Sequence, residues 1–165
     1  MRKFAFIIAV ALSATFALSA CNKDQPADGQ AAQAAQVSKP SNPKDIKGWQ
    51  AYLTQIIQAH MQGIQNSPYV YFVPAGDTPD DQAARGRVQD TLNGVVAATV
   101  LPGNMIAAGG PDSGKTADVL VTAFKDAQPG SFKGVAVLFI GNAADKQRVQ
   151  DAIAPSGADF RFAQM

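Results

Sequence analysis

From Asp45 to the end of the chain, apolar residues alternate between two kinds of spacing. In four segments they recur every three or four positions, which is typical of one face of a helix. In four others they form short apolar or alternating runs between glycine, proline and polar residues, which is typical of strands. The predicted helices cover residues 45–64, 80–99, 113–127 and 145–153. The predicted strands cover residues 69–73, 104–109, 135–140 and 159–162.

The alternation of strands and helices, joined by short links, predicts an α/β fold. Right-handed crossovers would place helices over a parallel sheet. We therefore expect a small three-layer domain with a four-stranded, mostly parallel sheet and an extra N-terminal helix. Strands 69–73 and 135–140 are apolar on both faces and are expected in the centre, whereas 159–162 alternates charged and aromatic residues and is expected at an edge. Strand order 2-1-3-4 meets these demands.

A different pattern precedes this region. Arg2 and Lys3 are followed by an apolar run over residues 4–18, which is shorter than the roughly 20 residues of a membrane-spanning helix. A charged start, a short apolar stretch and small residues after it are typical of a secretory signal peptide. The run ends in Leu18-Ser19-Ala20-Cys21, which resembles the lipobox of bacterial lipoprotein precursors.

That resemblance implies that Cys21 is acylated on sulfur and becomes the new N-terminus after cleavage. Membrane lipid would then be a partner through the acyl chains, which anchor stably when two or three are present. In lipoproteins of the enteric type, an aspartate after the cysteine favours retention in the inner membrane. This chain has Asn22 there, so the resemblance points to the periplasmic face of the outer membrane, with the inner membrane as the alternative. An ordinary signal peptide cut near Ala20, with Cys21 incidental, is the competing interpretation.

Residues 22–44 contain one large apolar side chain, Val37, and cannot bury enough surface to offset the entropy of ordering. We expect a disordered tether here. The predicted organisation is a signal peptide over residues 1–20, the acylated cysteine and tether over 21–44, and a periplasmic α/β domain over 45–165.

Composition narrows the chemistry of that domain. Removing Arg2 and Lys3 from the 14 basic side chains leaves 12 against 13 acidic ones, so nucleic acid is not an expected partner. Glutamate is absent, Cys21 is the sole cysteine, and His60, the sole histidine, falls within the apolar stripe of the first helix. Zinc sites and Ser-His-Asp or Cys-His catalysis lack their parts. The sequence therefore predicts neither an enzyme nor a metal or cofactor.

One segment matches a known motif. Residues 109–116 fit the phosphate-binding pattern of glycine, four residues, then Gly-Lys-Thr, between a predicted strand and a predicted helix. However, strand 135–140 is followed by Gly141 and Asn142 rather than by an aspartate for magnesium. We favour the interpretation that Asp112 or Ser113 caps the helix, and keep a modest anion site as the alternative.

Aspartates follow the first three predicted strands, at Asp77, Asp112 and Asp145, where open parallel sheets place their ligand crevice. Most such aspartates are helix caps or first-turn charges, which is the interpretation that we favour over a shared site. The candidate ligand-binding residues are Asp77, Asp112, Ser113, Lys115, Thr116 and Asn142.

The function that these features favour is a non-catalytic lipoprotein that binds or organises a periplasmic protein partner. One alternative is a small-ligand or anion-binding domain that uses the loops at residues 74–78, 109–116 and 141–145. Another is an inhibitor or immunity lipoprotein directed against a toxin that enters the periplasm.

Overall fold

A computed structural model of the protein describes residues 37–98 and 100–165. Within them it contains four strands and four α-helices in an α/β arrangement, which confirms the predicted fold class. The helices are α1 (Ile46–Ala59), α2 (Pro79–Ala97), α3 (Ser113–Phe124) and α4 (Ala143–Ile153). The strands are β1 (Tyr69–Phe72), β2 (Met105–Gly109), β3 (Ala136–Gly141) and β4 (Asp159–Gln164).

The predicted signal peptide, Cys21 and most of the predicted tether lie outside the described residues. Among the helices that the structure describes, none has the length and apolarity needed to cross a bilayer.

All four strands are parallel, and each pairs with the next one in sequence, in the order β1-β2-β3-β4. The central position of β3 and the edge position of β4 are as predicted, but the predicted order 2-1-3-4 is wrong. β1 lies at an edge, where Tyr69 and Val70 are 46% and 50% exposed. The fully buried strand beside β3 is instead β2, whose small residues Ala107, Ala108 and Gly109 gave little strand signal.

Because the sheet never reverses its strand order, the three crossover helices α2, α3 and α4 share one face. Their apolar side chains pack on alternate residues of the central strands, including Ile106, Val137 and Phe139. From the helices, Leu92, Leu120 and Val149 contribute fully buried side chains to this core. The larger part of the hydrophobic core therefore lies on this side of the sheet.

The other face is covered by α1 alone. Leu53 and Ile57 of α1 pack against the alternate side chains of β2 and β3, which include Met105, Leu138 and Ile140. Asp45 caps the start of α1 by accepting a hydrogen bond from the Gly48 amide at 3.0 Å, which stabilises the first turn. The extra N-terminal helix is thus the third layer of the fold.

Arg161 of β4 closes the other end of α1. Its guanidinium donates to the carbonyl oxygen of His60 and, at 2.9 Å, to that of Gln62, and its Nε donates to Asp159 at 2.9 Å. A cation on the last carbonyls satisfies acceptors that have no partner within the helix and complements the helix dipole. The last strand is thereby joined to the first helix.

Residues 37–44, which composition assigned to the tether, contact α1. The Trp49 indole donates to the carbonyl oxygen of Asn42 at 3.1 Å, and the Val37 amide donates to the Gln55 side chain at 2.8 Å. Trp49 itself is 2% exposed, so the Asn42 carbonyl satisfies a buried donor. The contacts of the folded part therefore extend upstream of Asp45.

Two glycines at the end of β2 allow a close approach between layers. A Cβ atom at Gly109 would lie 2.6 Å from Cδ2 of Leu53, so the missing side chain lets α1 sit close to the sheet. A Cβ atom at Gly110 would lie 2.1 Å from the carbonyl oxygen of Val73. Since Val73 and Gly109 are also joined by a backbone hydrogen bond of 2.9 Å, the backbone at Gly110 has little room to shift.

We expect Gly110→Ala to lower the free energy of unfolding by about 2 kcal/mol or more, because the new methyl group would overlap backbone atoms. The matched control is Gly94→Ala in α2, where nothing lies within 4 Å of the new atom. That change should stabilise the protein by about 1 kcal/mol through helix propensity. Urea unfolding of both variants measures the difference, and equal effects would contradict the close approach at Gly110.

Candidate functional site

The six candidate residues lie at one end of the sheet, since the carboxyl ends of parallel strands share an edge. Asp77 is in the loop between β1 and α2, four candidates lie at the start of α3, and Asn142 is the residue before α4. A ligand crevice normally forms where neighbouring loops diverge at a reversal of strand order. This sheet has no reversal, so topology alone opens no crevice here.

Asp112 caps α3. Its carboxylate accepts a hydrogen bond from the Lys115 amide at 3.0 Å, and its carbonyl oxygen accepts from the Thr116 hydroxyl at 2.9 Å. The carboxylate therefore occupies the helix N-terminus, where a phosphate would otherwise bind. Of the two predicted capping residues, Asp112 fills this role and Ser113 makes other contacts.

The Lys115 side chain reaches across to the loop between β1 and α2. Its ammonium group donates to the Ala75 carbonyl oxygen and to Asp77 Oδ1, the latter at 2.6 Å. Arg85 donates to the carbonyl oxygens of Pro74 and Gly76, and one of its nitrogens lies 3.7 Å from Asp77 Oδ1. The hydrogen bond from Lys115 is the main reason why the pKa of the Asp77 carboxyl lies below its ordinary value.

Ser113 links α3 to α4. Its hydroxyl accepts a hydrogen bond from the Asn142 amide at 2.7 Å and donates to Asp145 Oδ2 at 2.5 Å. This hydrogen bond, followed by the contacts from Arg148, lowers the pKa of the Asp145 carboxyl. Ser113 is 4% exposed, so the interaction is largely shielded from solvent.

Arg148 extends the same network. It donates to Asp145, to Asp118 at 2.6 Å and to the Gly114 carbonyl oxygen at 2.9 Å, and these carboxylates raise its pKa. Sequence reasoning missed both arginines of the edge. The three-residue spacing between Asp145 and Arg148 on one helix was a usable signal. Nothing in the sequence signals Arg85, because its partners are backbone carbonyls.

The chemistry of this edge is that of an internal polar network. The Ser113 hydroxyl donates its hydrogen bond to a carboxylate. The one histidine, His60, directly follows α1, and its Nδ1 is 2.8 Å from the Ile56 carbonyl oxygen. Asp77, Asp112 and Asp145 each bond to a different group of this chain instead of sharing a site. Within the described part of the chain, no group of three or more histidine, cysteine or acidic side chains is arranged to hold a metal ion.

An apolar groove lies elsewhere, between α1 and the edge strand β1. It has a volume of about 460 Å³, and its lining includes Ile57, Met61, Ile64, Pro68 and Val70. One helix is about 10 Å wide, whereas four strands span roughly 15–19 Å. Helix α1 therefore leaves part of this face of the sheet uncovered. We call this feature the α1–β1 groove.

Comparison with known proteins gives no match to any family model, curated protein or solved structure.

We expect Asp145→Asn to lower the free energy of unfolding by about 1–2 kcal/mol at pH 7, since hydrogen bonds to a charged group are lost. The folded-state pKa of Asp145 is lowered, so its contribution is complete above the unfolded-state value of about 4 and is lost as the pH falls through the lower, folded-state value. The difference between wild type and variant should therefore shrink as the pH falls below about 4.

The control is Asp151→Asn, an exposed change on the same helix whose carboxylate accepts a hydrogen bond from Gln147 one turn away. Urea unfolding at several pH values measures both variants. A gap that stays constant with pH, or an equal loss in Asp151→Asn, would contradict a special role for Asp145.

Proposed function

We propose that the protein is a lipoprotein, anchored to the periplasmic face of the outer membrane through acylated Cys21, whose α/β domain binds a periplasmic protein partner without catalysis. The anchor rests on the lipobox resemblance of residues 18–21. The partner-binding role rests on the surface around β1.

The single observation that carries partner binding is an uncharged, partly apolar surface at the β1 edge. The sixteen residues from Met61 to Gly76 include no charged side chain, although 16% of the chain is charged. Tyr69 and Val70 are about half exposed within this segment, and Val70 lines the α1–β1 groove. Exposed apolar patches of this kind mark interaction surfaces more often than isolated apolar residues do.

The polar edge supports binding of a small ligand or anion less well. Asp112 places a carboxylate at the start of α3, while Lys115 and Arg85 donate to carbonyl oxygens of the loop before α2. An incoming anion would have to compete with these contacts. An inhibitor or immunity role is one case of partner binding, in which the partner is a toxin.

The anchor predicts that labelled fatty acid enters the wild-type protein and that Cys21→Ala abolishes this labelling, because no other residue of the chain has a thiol. The variant protein should also be missing from the lipid-anchored fraction. Ser19→Ala, which keeps a small residue in the lipobox, is the control and should remain labelled. Label in Cys21→Ala, or none in the wild type, would favour an ordinary signal peptide.

Partner binding predicts a discrete photo-cross-linked product when benzoylphenylalanine replaces Val70 in the full-length protein in cells. The control position is Gln150, which is exposed on α4, on the far side of the sheet from the α1–β1 groove. The product should be absent there and should be lost when the neighbouring Tyr69 is changed to Asp. The same products at both positions, or none at Val70, would contradict binding through this surface.

A further inference from the structure

The two edges of the sheet differ in how they are protected against pairing with another strand. β4 carries Asp159 and Arg161, which form an ion pair of 2.8 Å on the α1 face. Charged side chains on an edge strand disfavour edge-to-edge pairing. β1 is Tyr-Val-Tyr-Phe, without a charge, and among the described residues it pairs only with β2.

The backbone of β1 shows which groups face outward. The Val73 amide donates to the Gly109 carbonyl oxygen of β2 at 2.9 Å. The direction of backbone groups alternates along a strand. The amide and carbonyl groups of Tyr69 and Tyr71 therefore also point toward β2, and those of Val70 and Phe72 point away from it. The next outward positions are Pro68 and Pro74, which have no amide hydrogen to leave unpaired.

We propose that the β1 edge pairs with the β1 edge of a second copy of this chain, antiparallel about a two-fold axis at Tyr71. This inference rests on the proposed function and names the partner that uses the same surface. Val70 then lies opposite Phe72 of the second copy, and the two residues exchange backbone hydrogen bonds. Eight parallel and antiparallel strands would form one continuous sheet.

The distribution of prolines and charges favours a second copy over a foreign strand. Pro68 and Pro74 are each three residues from Tyr71, so the two-fold axis places Pro68 of one copy opposite Pro74 of the other. Because neither proline has an amide hydrogen, no amide donor is left without an acceptor at these positions. An unrelated strand would present its own donors and acceptors to these prolines. Moreover, a two-fold axis brings each charged side chain close to the same side chain of the second copy, and these like charges repel. Residues 61–76 carry no charge, so this repulsion does not arise.

The side chains support the same register. Val70 is on the α1 face, in register with Ala107, and would contact the apolar ring of Phe72 across the strand pair. The prolines limit the pairing to a few hydrogen bonds, which is weak for molecules free in solution. Two acylated copies on one membrane would meet at a high effective concentration, so that a short edge suffices.

Cysteine cross-linking of the full-length, membrane-anchored chain tests this register. In the paired state the Tyr71 Cα atoms of the two copies lie about 4.5 Å apart, within disulfide range, whereas those of Val70 lie about 7–8 Å apart. Tyr71→Cys should therefore give a band at twice the monomer mass under mild oxidation. Val70→Cys should not, and neither should Gln164→Cys on the opposite edge strand.

A second arrangement covers the case in which Tyr71→Cys folds poorly. Chains with Val70→Cys and chains with Phe72→Cys, expressed together, should cross-link to each other but not to themselves. Adding Val70→Lys to Tyr71→Cys should suppress the band, because the two lysines would lie on the same face, diagonally across the axis, and repel each other.

The proposal is overturned if Tyr71→Cys and the mixed pair give no more cross-link than Gln164→Cys, or if Val70→Cys alone cross-links as strongly as Tyr71→Cys. A band in the wild type, whose only cysteine is Cys21, would instead count against acylation and hence against the proposed anchor. The edge pairing is then judged from the bands of Tyr71→Cys and of the mixed pair in excess of the wild-type band. A photo-cross-link from Val70 to another protein, without these disulfides, would keep partner binding and reject the second copy.

Discussion

Each strand of the sheet pairs with the strand that follows it in the chain, and this constraint determines where the helices, the α1–β1 groove and the polar loops lie. Crossovers of one hand between sequential neighbours put three helices on one face, so the other face depends on the single helix that precedes the first strand. A helix of about 10 Å cannot cover four strands. The uncovered part lies beside β1 on the α1 face, which explains why Val70 stays half exposed and why the α1–β1 groove exists.

The same winding accounts for the polar end of the sheet. Without a reversal of strand order, the loops after β1, β2 and β3 run side by side, and their polar groups bond to one another. Lys115 joins α3 to the loop before α2, and Ser113 joins α3 to α4. A glycine-rich pattern ending in Gly-Lys-Thr therefore lies between a strand and a helix, as in nucleotide-binding proteins, yet Asp112 fills the helix N-terminus with a carboxylate. The pattern here performs turning and capping.

Periodicity was sufficient to predict the α/β class, because α1, α3 and β3 present unambiguous apolar faces. It failed where a residue's environment depends on distant partners. β1 looked central because aromatic and branched side chains suit a buried strand as well as an edge that meets another surface. β2 gave little signal because Ala107, Ala108 and Gly109 are small, and at Gly109 the close approach of Leu53 from α1 leaves no room for a side chain. At the candidate site, the cap at Asp112 followed from local spacing, whereas Arg85 bonds backbone carbonyls that no sequence pattern reveals.

The bond between Arg161 and His60 has a consequence for the order in which the chain acquires structure. These residues are 101 positions apart, and the contact closes the end of the first helix with a side chain from the last strand. An isolated helix of fourteen residues is marginal in water, so α1 gains its final stability only after β4 has been added. The C-terminal end of α1 therefore stays open until the final strand arrives, even where the sequential pairs β1-β2 and β2-β3 have already formed.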